Sequence, residues 1–179
     1  GKTMSAAARV SSKGPKDFDP NQLVEVLNRL ADAQVVVVGD VGVDRYTFGK
    51  VERISPEAPV PILQVTEQRL KLGMAANVVD NIAALDGKVQ LVGMIGEDPA
   101  ATTVEELLFE IEVSSKHLIR DKKRPTIVKE RVVTEQQQLL RIDYEQTGEI
   151  SAKAQAQLLQ KVKALLKGKT VLVIEDYAK

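Results

Sequence analysis

The chain has 179 residues, with 25 lysines and arginines balanced by 25 aspartates and glutamates, 44% hydrophobic residues, no cysteine and one histidine. That length supports a domain with a substantial core, and the zero formal charge gives no general attraction to nucleic acid or to an anionic membrane. Disulfides, thiol nucleophiles, cysteine metal sites and histidine-cluster zinc sites are excluded, no apolar run reaches the ~20 residues of a membrane span, and the amino terminus lacks the pattern of a secretory signal, so a cytoplasmic protein is expected.

Residues Gly1–Lys16 are small, polar and basic and read as a flexible leader. Asp19-Pro20 has the form of a helix cap with proline in the first turn, followed by one apolar stripe through Leu23, Val26, Leu27 and Leu30. Gln34 to Val38 is an unbroken β-branched run, suited to a strand covered on both faces, and Gly39-Asp40 is expected to end it. Pro56, Pro59 and Pro61 exclude a long helix or a central strand and leave an edge strand near Val60 to Val65. Gly73 to Leu85 reads as a helix stopped by Gly87, and Val89 to Val92 as a strand. Thr103 to Phe109 reads as a helix with Val104, Leu107 and Leu108 inward. Ile127 to Val133 and Leu139 to Ile142 read as a hairpin. Ser151 to Leu166 is an amphipathic helix with Leu158 and Leu159 on its buried side, and Val171 to Ile174 is a final strand.

Strand and helix alternate, interrupted by two strand-rich excursions, which predicts an α/β body with a parallel sheet and a small accessory sheet. Acidic residues follow two of the strands, at Asp40 and Asp44 and again at Glu175-Asp176. Carboxylates at the carboxyl edge of such a sheet suit a polyhydroxylated small molecule. Asp44 is the leading candidate, because one carboxylate accepts hydrogen bonds from neighbouring hydroxyls; a loop or cap role is the plain alternative. Asn77 both donates and accepts, and Gly73 offers backbone access. Asp176 stands at a strand end, as either a ligand or a structural cap. Lys122-Lys123-Arg124 and the lysines between Lys161 and Lys169 lack interleaved aromatics and read as solvated surface rather than a nucleic-acid face. Gly93 to Asp98 lacks the lysine and hydroxyl residue of a P-loop.

At Gly39-Asp40 with Asp44, at Gly73-Met74-Ala75-Ala76-Asn77 and at Asp176-Tyr177-Ala178-Lys179, the chain resembles the ribokinase-like, PfkB-type carbohydrate kinases. The run Arg53-Ile54-Ser55-Pro56-Glu57-Ala58-Pro59-Val60-Pro61, with Asp44-Arg45-Tyr46 before it and Gln138 to Asp143 after it, is similar to the bacterial heptose 7-phosphate kinase group. The resemblance extends from about Val35 to Lys179.

It implies a three-layer α/β sandwich of ribokinase-like type, here in part, with a β lid from about residues 46–65 and 127–142 inserted in residues 17–179. It implies ATP-dependent phosphorylation of the anomeric hydroxyl of D-glycero-β-D-manno-heptose 7-phosphate on the route to the lipopolysaccharide core. ATP and Mg2+ would serve the complete enzyme, with a homodimer formed through the lid and, in some members, a fused adenylyltransferase domain. Asp44, Asn77, Gly73, Met74 and Asp176 would then meet the sugar, and Arg53 and Lys179 its distal phosphate. The family's catalytic base lies in a Gly-x-Gly-Asp type motif that does not occur in this sequence. No catalytic residue is therefore assigned, the ATP-binding carboxyl-terminal part is expected to be absent, and the chain alone is expected to be inactive. Relatives commonly carry a second glycine where this chain has Met74, which leaves a kinase for another sugar or nucleoside as one alternative. A noncatalytic sugar-phosphate-binding or dimerisation module is the other.

Overall fold

The computed structural model of the chain describes residues 24–25, 33–167 and 170–177. The expected leader and most of the first predicted helix lie outside the described residues; Val24 and Glu25 are helical. Among the described residues seven strands form the sheet, and its organising element is β1, Gln34–Ile54, a strand of 21 residues. Its first part, from Gln34 to Asp40, pairs in parallel with β3 (Lys88–Ile95) and with β7 (Thr170–Glu175) on the other side. A short strand β4 (Leu118–Arg120) extends this parallel portion beyond β3. From Val41 onward β1 changes neighbours: it pairs antiparallel with β2 (Pro61–Met74) and in parallel with β5 (Ile127–Val133), and β6 (Gln138–Tyr144) completes the antiparallel hairpin with β5.

Gly39 and Asp40 therefore do not end the strand, contrary to the reading of the sequence. Gly39 is a point of contact: a Cβ there would collide with the carbonyl of Glu175 on β7. Glycine serves close backbone approach here, a use of the residue that does not require a turn. The prolines act as expected up to a point. Residues 55–60 form a loop closed by the Ser55 N–H donating to the Val60 carbonyl at 2.8 Å, and β2 begins at Pro61. The strand then runs on to Met74, well past Val65, and Gly73 is a strand residue.

Among the described residues, three helices cover the parallel portion. Helix α1, Ala75–Ala83, and helix α2, Pro99–Glu110, bury Val79, Val104 and Leu108 against Val35, Val37, Val41 and Leu91. On the opposite face α3, Ala152–Leu165, brings Val162 against Val36 and Val92, with Leu158 packed alongside. Alternate valines of β1 thus serve two separate cores, the pattern of a strand buried on both faces. Leu159, expected inward, is 54% exposed, and Val162 takes the position facing the sheet; Leu85, placed at the end of the first of these helices by the sequence, falls after its last turn and is 60% exposed. No helix among the described residues is long and apolar enough to cross a membrane.

The end of β3 is tied to the start of β5 by a compact set of hydrogen bonds. Asp98 caps α2 by accepting from the Ala101 N–H at 2.9 Å, and its other oxygen accepts from the Thr126 N–H at 2.7 Å. The buried Thr126 hydroxyl in turn accepts from the Gly96 N–H at 2.8 Å. Partial burial would raise the Asp98 pKa, but the donors from Thr126 and Ala101 outweigh it and hold the carboxyl below its ordinary value of 3.8. A carboxyl whose pKa is lower in the folded state contributes stability above its unfolded pKa and loses it as pH falls through the folded value. Asp98→Ala is expected to destabilise the chain by about 1 kcal/mol at pH 7. Urea unfolding at a series of pH values should show that difference shrinking below about pH 4.

Candidate functional site

Where β1 passes between its two sets of neighbours, cross-strand register lays side chains from four strands on one face. Gly73 of β2 lies opposite Gly42 of β1, and Ile127 of β5 follows on the far side. The next row is Lys71, Asp44, Lys129 and Asp143, and beyond it stand Arg69, Tyr46, Arg131 and Arg141. Two facing glycines leave bare backbone beside Asp44. A Cβ at position 73 would stand 3.1 Å from the Asp44 nitrogen and 3.3 Å from its Oδ2.

Asp44 is held from the other side. Arg131 donates from Nη1 to its Oδ1 at 2.6 Å, with the two side chains 24% and 21% exposed. The Arg131 guanidinium also lies 5.3 Å from the centre of the Tyr46 ring, and its hydrogen bond to Asp44 pushes its pKa further up. One carboxylate oxygen is thus occupied and the other faces the glycine floor, where it can accept from a hydroxyl group. Lys129 reaches Asp143 and Glu145 at 3.4 Å each, and Arg141 pairs with Asp143 at 2.9 Å. Arg69 pairs with Glu67 and lies 5.0 Å over the Phe48 ring.

A second feature opens at the carboxyl ends of the parallel strands. A cavity of about 250 Å³ is lined by Gly39, Asp40, Met94, Ile127, Glu175 and Asp176, among others. It sits where β3 and β7 end and β5 begins. The Tyr177 N–H donates to the Asp40 carboxylate at 2.9 Å, tying the segment after β7 to β1. A hydrogen bond with Glu175 raises the Tyr177 pKa, with burial and the charges of Glu175, Asp44 and Asp40 adding to the effect. Tyr177 therefore stands within electrostatic reach of both Asp40 and Asp44.

The residues singled out from the sequence fall into three groups. Asp44, Gly73 and Met74 are brought together at the start of the β1–β2 pairing, and Asn77 is exposed in the first turn of α1. Asp176 lies on the cavity with Asp40. Arg53 is not brought to Asp44: it is exposed, pairs with Ile62, and stands nine residues further along β1, roughly 30 Å at the rise of a strand. Lys179 lies outside the described residues. Arg131, Tyr46 and Tyr177 received no definite role from sequence reasoning. Arg131 lies two residues beyond Lys129, and alternation along β5 places the two on one face.

Met74 occupies a conformation that suits glycine. Its φ of 58° and ψ of −130° put it at the N-cap of α1 with no side-chain capping bond, yet the residue is 6% exposed. A non-glycine residue in this region carries a strain of order 1–3 kcal/mol.

A parallel sheet layered between helices, with its central strand continuing into a four-stranded extension, places the chain in the ribokinase-like α/β class. The carbohydrate kinase from Agrobacterium tumefaciens shares that fold at a TM-score of 0.51 and 17% identity, over 63% of this chain and 35% of that one. The model of the pfkB family carbohydrate kinases matches residues 32–177, and the chain belongs to that family. It is 45% identical over 157 residues to the D-beta-D-heptose 7-phosphate kinase of Bordetella bronchiseptica, covering 84% of this chain and 47% of the relative. It is also 48% identical over 153 residues to the Bifunctional protein HldE of Ectopseudomonas mendocina, covering 86% of this chain and 32% of the relative. The chain thus spans 47% of the length of the first of these relatives and 32% of the second.

The strain at Met74 has a measurable signature. Replacing a residue by glycine ordinarily leaves a protein 0.5–1 kcal/mol less stable than replacing it by alanine. At position 74 the order is expected to reverse. Both variants lose the buried side chain, and only Met74→Gly relieves the backbone, so it should exceed Met74→Ala in stability by about 1 kcal/mol. Denaturant melts of the two variants decide this, and the ordinary order would show that position 74 is unstrained.

Proposed function

We propose that this chain forms the acceptor-sugar side of a kinase that phosphorylates the anomeric hydroxyl of D-glycero-β-D-manno-heptose 7-phosphate. The observation that carries the reading is the Asp44 carboxylate, fixed by Arg131 on one oxygen and turned with the other toward the floor formed by Gly42 and Gly73. Such an acceptor, fixed before the ligand arrives, orients neighbouring hydroxyls without further ordering cost. The relative from Bordetella bronchiseptica supports the choice of sugar. Asn77 and Asp176 complete the proposed sugar contacts, and Gly73 contributes its backbone.

In the complete enzyme Mg-ATP would supply the phosphoryl group. Among the described residues no group of three or more His, Cys, Asp or Glu side chains could hold a metal ion. The role proposed for the residues present is binding and orienting the acceptor. The four-stranded part of the sheet is the proposed lid. Leu70, Leu140 and Tyr144, each 42% to 48% exposed on its outer face, support association of two copies through it. The bifunctional relatives support a fused adenylyltransferase domain in a longer protein. A kinase for a different sugar is the competing reading, and Met74, buried beside Gly73 in a glycine-like conformation, is the observation that favours it.

Isothermal titration of the chain with heptose 7-phosphate tests the proposal. The wild-type chain is expected to bind, and Asp44→Ala to weaken binding roughly 10–100-fold, the range expected for a lost hydrogen bond to a charged group. Unchanged affinity in the variant, or tighter binding of an unrelated sugar by the wild type, would overturn it.

A further inference from the structure

Successive residues of a strand face opposite sides of the sheet, so Glu130 and Arg131 of β5 meet β1 on opposite faces of the four-stranded extension. Glu130 stands opposite Arg45 but reaches outward along β1, accepting from the Thr47 hydroxyl at 2.6 Å. Arg131 stands opposite Tyr46 but reaches inward, donating to Asp44 at 2.6 Å. The two bonds cross the seam between β1 and β5 on opposing diagonals. Each therefore blocks one direction of slip. A two-residue slip keeps every side chain on its own face. Made inward, it would bring Glu130 opposite Val43, four residues short of Thr47 and roughly 13 Å from it. Made outward, it would bring Arg131 opposite Phe48, equally far beyond Asp44.

The outward brace is the better anchored of the two. Glu130 and Thr47 are 8% and 5% exposed. The second oxygen of Glu130 accepts from Arg45 and from Tyr144 of β6, each at 3.4 Å, and Gln68 of β2 donates to the Thr47 hydroxyl at 3.2 Å. A buried carboxylate has no water to replace a lost donor, so its partners are costly to exchange. An apolar side chain would pack nearly as well one register along. On the opposite face Lys129 and Arg141 pair with Asp143 and Glu145, which ties β5 to β6 and leaves its register on β1 unset. We propose that Glu130 is a positioning residue for acceptor binding, fixing through Thr47 the register in which Arg131 holds Asp44. The inference rests on the sugar-binding reading above. Without Glu130, the pull of Arg131 on Asp44 is unopposed, and β5 rides inward toward the floor of Gly42 and Gly73.

Glu130→Ala, Glu130→Gln and Thr47→Val test the assignment with two readouts, each taken at a temperature where a thermal melt shows the variant folded. The guanidinium N–H resonances of Arg131, slowed in exchange by the bond to Asp44, report the register by NMR without any ligand. Calorimetric titration with heptose 7-phosphate reports its use. Glu130→Ala and Thr47→Val are expected to broaden or abolish the Arg131 resonances and to weaken binding about fivefold or more. Glu130→Gln keeps an oxygen that accepts from Thr47, so it should retain the resonances and bind within about twofold of the wild type. Should Glu130→Ala not fold, Thr47→Val carries the same comparison. Unchanged resonances or unchanged affinity in the folded variants, or a loss that Glu130→Gln does not restore, would overturn the assignment while the sugar site stands. Failure of the wild type to bind would instead overturn the functional reading, and the Arg131 resonances would still decide whether Glu130 sets the register.

Discussion

Every feature of the site depends on one strand exchanging its neighbours without losing its own pairing. Between Gly39 and Gly42, β1 gives up β3 and β7 and takes β2 and β5. Backbone donors and acceptors must stay satisfied throughout, so the outgoing and incoming strands crowd against one another there. The crowding explains why small residues gather at this crossing: a Cβ at Gly39 would strike β7, and one at Gly42 would stand 2.7 Å from the Ile127 carbonyl on β5. It also explains the cavity, because strands that diverge from a common neighbour leave a gap at their ends. The carboxylates Asp40 and Asp44 lie on either side of that crossing.

Past the crossing, the two faces of the extension are built differently. The face carrying Asp44 is charged, with exposed pairs that are worth little individually. On the reverse face Glu130 is 8% exposed and accepts from Thr47 at 2.6 Å, with Arg45 and Tyr144 each at 3.4 Å. Gln68 donates to Thr47 at 3.2 Å. These residues come from β1, β2, β5 and β6, so one buried carboxylate joins all four strands. A buried charge is tolerable when it is hydrogen-bonded on several sides, and here the bonding holds the register that positions Asp44 beneath Arg131.

The periodicities of the sequence located the helices, the central valine run and the β5–β6 hairpin, because each is a local pattern with a local cause. The resemblance carried by Arg53 to Pro61 located the family, yet Arg53 itself lies at the far end of a ribbon, remote from the residues it was grouped with. The ion pair of Asp44 with Arg131 joins residues 87 apart in the chain, and nothing short of strand register reveals it. Gly39 misled because glycine marks both turns and close contacts, and only the neighbouring strand distinguishes the two uses. Met74 was conspicuous as a departure from the relatives' glycine, but its positive φ is a property of the junction between β2 and α1 and has no signature in the residue itself.

Because β1 runs unbroken from the middle of the parallel sheet to Ile54, the extension is a cantilever rather than a hinged flap. No loop on β1 separates the helix-covered body from the ribbon, so the ribbon moves against the body by elastic bending and twisting spread over many residues. The irregularities between Phe48 and Gly49 and between Val51 and Arg53 are the compliant points of that beam, and both lie outboard of Asp44. A force applied at the tip is therefore absorbed mainly beyond the carboxylate, and the inner rows keep their alignment while the tip swings.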